Sequence, residues 1–238
     1  LHWDLATAEG AFREALRLNP NYAEAHGWYT TPLIWLDIRF AEALDHARRA
    51  VELNPVDPWA RLQLAWTHFF SRDFEGAINQ SRQLINIEPL WGLGHYFLGN
   101  CLAIYGKAAE AAESINRAIE LDGRGVHYVA WLGLSNAIAG KDAEARSCLV
   151  ELETHEREGR SVWAWKLVIH AGLGDSEAVM RCLDEAFQER SASLLFHLTH
   201  PLVDCVREHP RFADLLSRMN VEHLATYRPD SPWEPKER

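Results

Sequence analysis

The chain has 238 residues, enough to bury a sizeable core, and carries 34 acidic against 24 basic side chains for a formal net charge of −10. That excess disfavours direct contact with DNA or RNA, because nucleic-acid binding rests on a basic footprint. Four cysteines without a CxxC pair, no stretch of about 18 or more apolar residues, and no basic start followed by an apolar run argue against a disulfide framework, a spanning helix and a secretory leader; the expected setting is cytoplasmic.

In chain order, the first predicted element is LHWDLATAEGAFREALRLNP, residues 1–20, an amphipathic helix that stops at Asn19-Pro20. The same phrase returns as FAEALDHARRAVELNP at residues 40–55. Small residues recur at Ala8, Ala43, Ala77, Ala111 and Ala145, with steps of 35, 34, 34 and 34, and a second series follows at Ala15, Ala50, Leu84, Ala118 and Leu152. Pro20, Pro55, Pro89 and Gly123 punctuate one end of each unit, and Gly106, Gly140 and Gly174 punctuate its middle. Each unit therefore reads as two helices and a turn, as in GLGHYFLGNCLAIYG followed by KAAEAAESINRAIEL. Two antiparallel helices approach closely only where side chains are short, here near Gly99 and Ala111, and no hairpin buries its apolar face alone.

The predicted organisation is a half repeat over residues 1–20, repeats over about 21–55, 56–89, 90–123, 124–158 and 159–190, capping helices over 194–220, and a tail over 221–238 that is extended or disordered unless Trp233 docks. Residues 1–20 fall in register with the second helix of later units. The chain is thus expected to begin inside a repeat of a longer protein, with the open face of that helix met by an upstream segment, another chain, or Leu1 and Trp3 folding back. In the first full unit, one residue longer than the rest, Pro32 falls inside the first helix at a cost of ~3 kcal/mol and predicts a kink or break.

Leu98-Gly99 and Leu132-Gly133 in first helices, glycine at the inner turn, alanine near the start of the second helix, Phe40 and Phe74, and Leu-Asn-Pro endings together resemble the tetratricopeptide repeat (TPR) family. The resemblance implies an all-α, right-handed superhelical solenoid of antiparallel helix hairpins. The later phrases SVWAWKLVIHAGLGDSEAVMRCLDEAFQER and HPRFADLLSRMN resemble the ends of TPR segments attached to bacterial winged-helix regulators, adenylate cyclases and protein kinases. In TPR arrays the first helices line a concave surface, and the corresponding positions here are Trp59, Leu62, Trp66, Phe69 and Phe70, then Tyr96, Asn100 and Ile104, then His127. That apolar, aromatic lining implies a non-catalytic scaffold for a peptide or protein segment, since buried aromatic anchors carry most binding energy. The alternative is an effector-sensing module of a transcription regulator, cyclase or kinase, with a ligand near Trp163, Trp165 and His170. The groove and the unmatched ends also leave self-association open. The carboxylate clamp that holds chaperone tails is disfavoured, because Tyr96 and Trp131 stand where its polar residues would be.

Catalysis finds no support: GxSxG, GxxxxGK[ST] and GxGxxG do not occur. His197 and His200 form an HxxH pair, but Pro201 ends the helix there and no further ligand pattern follows, so neither metal nor cofactor is expected. The cysteines Cys101, Cys148, Cys182 and Cys205 read as small apolar residues at helix contacts.

Overall fold

The computed structural model describes residues 5–35, 38–227 and 233; Leu1, Trp3 and most of the terminal tail lie outside the described residues. Among the described residues every regular element is helical, and none is long and apolar enough to cross a membrane. The chain divides into two compact units, residues 1–90 and 91–238.

The first unit holds α1 (Leu5–Leu18), α2 (Ala23–Trp35), α3 (Phe40–Leu53), α4 (Pro58–Phe70) and α5 (Phe74–Ile87). The second holds α6 (Gly92–Ile104), α7 (Ala108–Asp122), α8 (Val126–Ile138), α9 (Asp142–Arg157), α10 (Trp163–Gly172) and α11 (Ser176–Gln188), then the short α12 (Leu194–Leu198), a 3-10 turn Pro201–Val206, α13 (Pro210–Arg218) and a second 3-10 turn Glu222–Thr226. Consecutive helices pack as hairpins: α2 on α3 and α4 on α5 in the first unit, α6 on α7, α8 on α9 and α10 on α11 in the second.

Local chemistry explains the starts and stops. Asp57 caps α4 by accepting the Trp59 N–H at 3.0 Å, with Pro58 opening the helix, and Asp73 and Asp175 cap α5 and α11 in the same way. The inner turns need a left-handed residue, and Gly106, Gly140 and Gly174 supply it with φ of 85, 75 and 72°. The series continues without glycine at Arg72 (φ 68°) and Ile38 (φ 55°), so the turn geometry of the repeat overrides side-chain preference at two positions.

Where hairpins close tightly, side chains are short and fully buried: Ala43, Ala47 and Ala50 on α3, Ala77 on α5, Ala111 and Ala118 on α7, and Ala145 on α9. A Cβ on Gly99 would stand 2.6 Å from Ile115 Cγ1, and one on Gly133 would stand 2.7 Å from Ile169 Cδ1. Cys101, Cys148 and Cys182 are buried, Cys148 beside Gly133. Burial pushes the Cys148 thiol up and that of Cys182 to about 12, which keeps both protonated and inert.

The break expected at Pro32 does not occur, because α2 continues through it to Trp35. Pro32 is only part-buried, and Tyr29, Leu33 and Ile34 on the same helix are buried against its neighbours, which offsets one lost backbone bond. The extra residue of this unit is absorbed at the turn instead. The Arg39 N–H reaches back six residues to the Leu33 carbonyl, whereas Asp73, Lys107, Lys141 and Asp175 each reach back five.

Trp233 is buried, and its backbone N–H donates to Asp204 Oδ2 at 2.9 Å.

Candidate binding surface on the first helices

Each unit presents its own face of first-helix side chains. In the first unit, Trp59 at the start of α4 is 45 % exposed and Trp66, two turns later, is part-exposed. Leu62, Phe69 and Phe70, assigned to the same surface from the sequence, are instead buried in the core. Phe69 meets Phe70 and Phe74 edge-on at 5.5 and 5.7 Å and so ties α4 to α5. The helix turns about 100° per residue, so Trp59 and Trp66 share a stripe while Leu62 and Phe69 lie to one side of it; Phe70 falls on the stripe at the end of α4 and is buried there all the same.

Reading the sequence alone missed Trp28. It is 47 % exposed on α2, and its ring lies 6.2 Å from that of Trp59 at 35°. Gly27 beside it has no side chain, which leaves room for the Gln63 amide of α4. No spacing in the sequence marks it, because its exposure is set by what the neighbouring helices leave uncovered.

In the second unit Tyr96, part-buried on α6, is the centre of an aromatic cluster. Its ring meets His127 edge-on at 5.2 Å, Tyr128 at 5.4 Å and Trp131 at 6.4 Å, and His127 lies 5.9 Å from Trp165 of α10. Burial lifts the Tyr96 phenol well above its ordinary value, although hydrogen bonds with Asn100 and Trp131 oppose the shift, and burial lowers His127. Both groups are neutral at pH 7. The Tyr128 hydroxyl donates to Asp122 Oδ2 at 2.6 Å, which fixes the α8 ring against the end of α7. Asn100 and Ile104, assigned to the same surface from the sequence, are buried. α6 and α8 carry no Lys, Arg, Asp or Glu, so this face is aromatic and uncharged.

Trp163 is buried against His197 at 4.8 Å, and Trp165 and His170 are part-exposed. A cavity of about 170 Å³ in this unit lies elsewhere, lined by Arg207, His209, Phe212, Leu216 and Leu224 among others. His197 Nδ1 bonds the Ser193 carbonyl at 2.9 Å and His200 Nδ1 accepts the Leu202 N–H at 3.2 Å, so the HxxH pair is committed to backbone. Among the described residues no group of three or more His, Cys, Asp or Glu could hold a metal ion.

Solved structures of low sequence identity share the helical fold. A tetratricopeptide repeat protein from Parabacteroides merdae matches 94% of this chain and 88% of its own with a TM-score of 0.61 at 15% identity. The chain folds as a tetratricopeptide-repeat solenoid. MamA from Desulfovibrio magneticus RS-1 shares the TPR fold over 66% of this chain and 88% of its own, with a TM-score of 0.56 at 17% identity. At such identities the likeness is one of fold. By sequence, Anaphase-promoting complex subunit 3 of Dictyostelium discoideum is 28% identical over 91 residues, which is 38% of this chain and 9% of that protein. No family model matches the chain. In the TPR frame, Trp28 and Trp59, like Tyr96 and His127, stand on the first helices of their hairpins.

Proposed function

We propose that the chain is a non-catalytic protein-interaction scaffold that binds a peptide or protein segment on the aromatic faces of its first helices. The observation that carries this reading is the Trp28–Trp59 pair. Two large aromatics from adjacent first helices remain nearly half exposed while Phe69 and Phe70, at the other end of α4, are buried. Exposed aromatic pairs cost solvation without stabilising the fold, and are the residues that supply binding energy when a partner covers them. Anaphase-promoting complex subunit 3 is by its name a subunit of an assembly, in keeping with such a role, although the chain spans about a tenth of its length.

The test is to select short peptides from a random display library on the full chain and to measure their affinity for variants. Trp59→Ala and Trp66→Ala should each weaken binding by about 10- to 30-fold with little change in thermal stability. Val150→Ala, at an exposed site on the second-helix α9, should be neutral. Unchanged affinity in both tryptophan variants removes the reading.

A further inference from the structure

The surface around Trp28 carries chemistry that narrows the partner. A cavity of about 230 Å³ opens between α1 and α2, bounded by Phe12 and Ala15 on one side and by Tyr22, Ala25 and Trp28 on the other. Apolar cavities of about 150 Å³ already accept a benzene ring, so this one takes one large apolar side chain. Of the side chains that line it, a single one is charged: Glu24, whose carboxylate accepts the Tyr22 hydroxyl at 3.3 Å.

The same tryptophan that walls the cavity stacks at a tilt on Trp59, which leaves both rings nearly half exposed. The face of an indole is electron-rich and attracts a cation. Asp57 adds a second carboxylate at the N-terminus of α4, beside Trp59. The nearby arginines of α1 are engaged: Arg13 with Glu9 and Tyr29, and Arg17 with Glu14. Residues 1–90 hold twelve acidic side chains against eight arginines and no lysine. An acidic segment would meet repulsion here, and a basic one would meet carboxylate and π-face together.

On the reading that the first-helix face binds a peptide, we infer that its occupant is a cationic segment, with one large apolar residue seated in the α1–α2 cavity and a neighbouring Arg or Lys laid on Trp28 next to Glu24. On a helical ligand the two residues stand three or four apart, which places their side chains ~5–6 Å from each other.

The experiment uses peptides selected from the random library on the full chain. The selected set should be enriched in Arg or Lys within four positions of a large apolar residue. In a synthetic copy, replacing that basic residue by Gln should weaken binding to the unaltered chain about tenfold, and to Trp28→Ala by no more than about twofold. Glu24→Gln, an exposed change that leaves the core untouched, should weaken binding about threefold and reduce its salt dependence. Neutral or acidic selected peptides, or a Gln replacement that costs the same against Trp28→Ala, overturn the cationic assignment. The scaffold reading survives that result where Trp59→Ala still weakens binding. A selection that yields no peptide, or peptides indifferent to Trp28→Ala, Trp59→Ala and Trp66→Ala, overturns both.

Discussion

Asp204→Ala should destabilise the second unit by ~3–5 kcal/mol, the cost of breaking a buried ion pair from one side. Asp204 Oδ1 accepts the Arg207 Nε–H at 2.7 Å, with side-chain exposures of 1% and 5%. Its other oxygen holds the Trp233 backbone N–H. The Arg207 guanidinium also donates to the Leu198 carbonyl at 3.1 Å and lies over the Tyr227 ring at 4.7 Å. Removing the carboxylate leaves a buried cation without its counter-charge and a buried N–H without its acceptor, and both costs fall on the segment that joins α12, α13 and the tail. The melting temperature should fall on the order of 10 °C. Asp214→Ala, which breaks the exposed Arg218–Asp214 pair at 3.3 Å, should cost about 0.5 kcal/mol or less. Equal effects in the two variants would show that the buried pair does not hold this end of the chain together.

The second large effect is a pH dependence centred on His197. Its Nδ1 bonds the Ser193 carbonyl, its ring is packed by Trp163 at 4.8 Å and Phe196 at 4.9 Å, and burial pulls its pKa down to about 4. The unfolded chain, with an ordinary value near 6.5, binds more protons in between, so stability falls as the pH is lowered. The contribution is fully present above pH ~6.5 and is lost progressively down to pH ~4, about 3 kcal/mol in all. His46, His127 and His170 are lowered by burial as well and add in the same direction. Urea unfolding followed from pH 7 to 4 should show the loss, and His197→Asn should flatten the slope by close to one proton. A slope identical in the variant would mean that His197 is charged in the folded state.

The hairpins were legible because the code that makes them is local. Proline and glycine punctuate the helices at a fixed period, and alanine marks where helices touch, so Ala43, Ala111 and Ala145 could be placed at tight contacts from spacing alone. What escaped was decided by tertiary context. Ile38 and Arg72 occupy the left-handed turn position without the residue that usually announces it. Pro32 sits inside an unbroken helix because the buried Tyr29, Leu33 and Ile34 outweigh one missing bond.

The candidate surface was only partly legible for a related reason. Repeat register assigns a residue to the first helix, but α4 is covered by α2, α3 and α5, so most of its positions are core, and of its aromatic residues named from the sequence only Trp59 and Trp66 reach solvent. Phe69 and Trp59 look alike in sequence and differ in what covers them. Trp28 was overlooked because the corresponding place on α4 is taken by Gln63, a buried amide, so the repeat offered no aromatic precedent. Trp233 stands among prolines, where composition alone predicts an extended chain; its burial follows from the polar anchor at Asp204, which no pattern marks.

The most direct measurement of the central claim is site-specific crosslinking. A benzophenone amino acid placed at Trp59, on a first helix, and at Val150, exposed on a second helix, reports which face a bound peptide touches. With a peptide selected on the full chain, irradiation should join it to the chain carrying the probe at position 59 and leave the chain probed at position 150 unlinked. Crosslinking at 150, or equal crosslinking at both positions, would contradict a binding surface on the first helices.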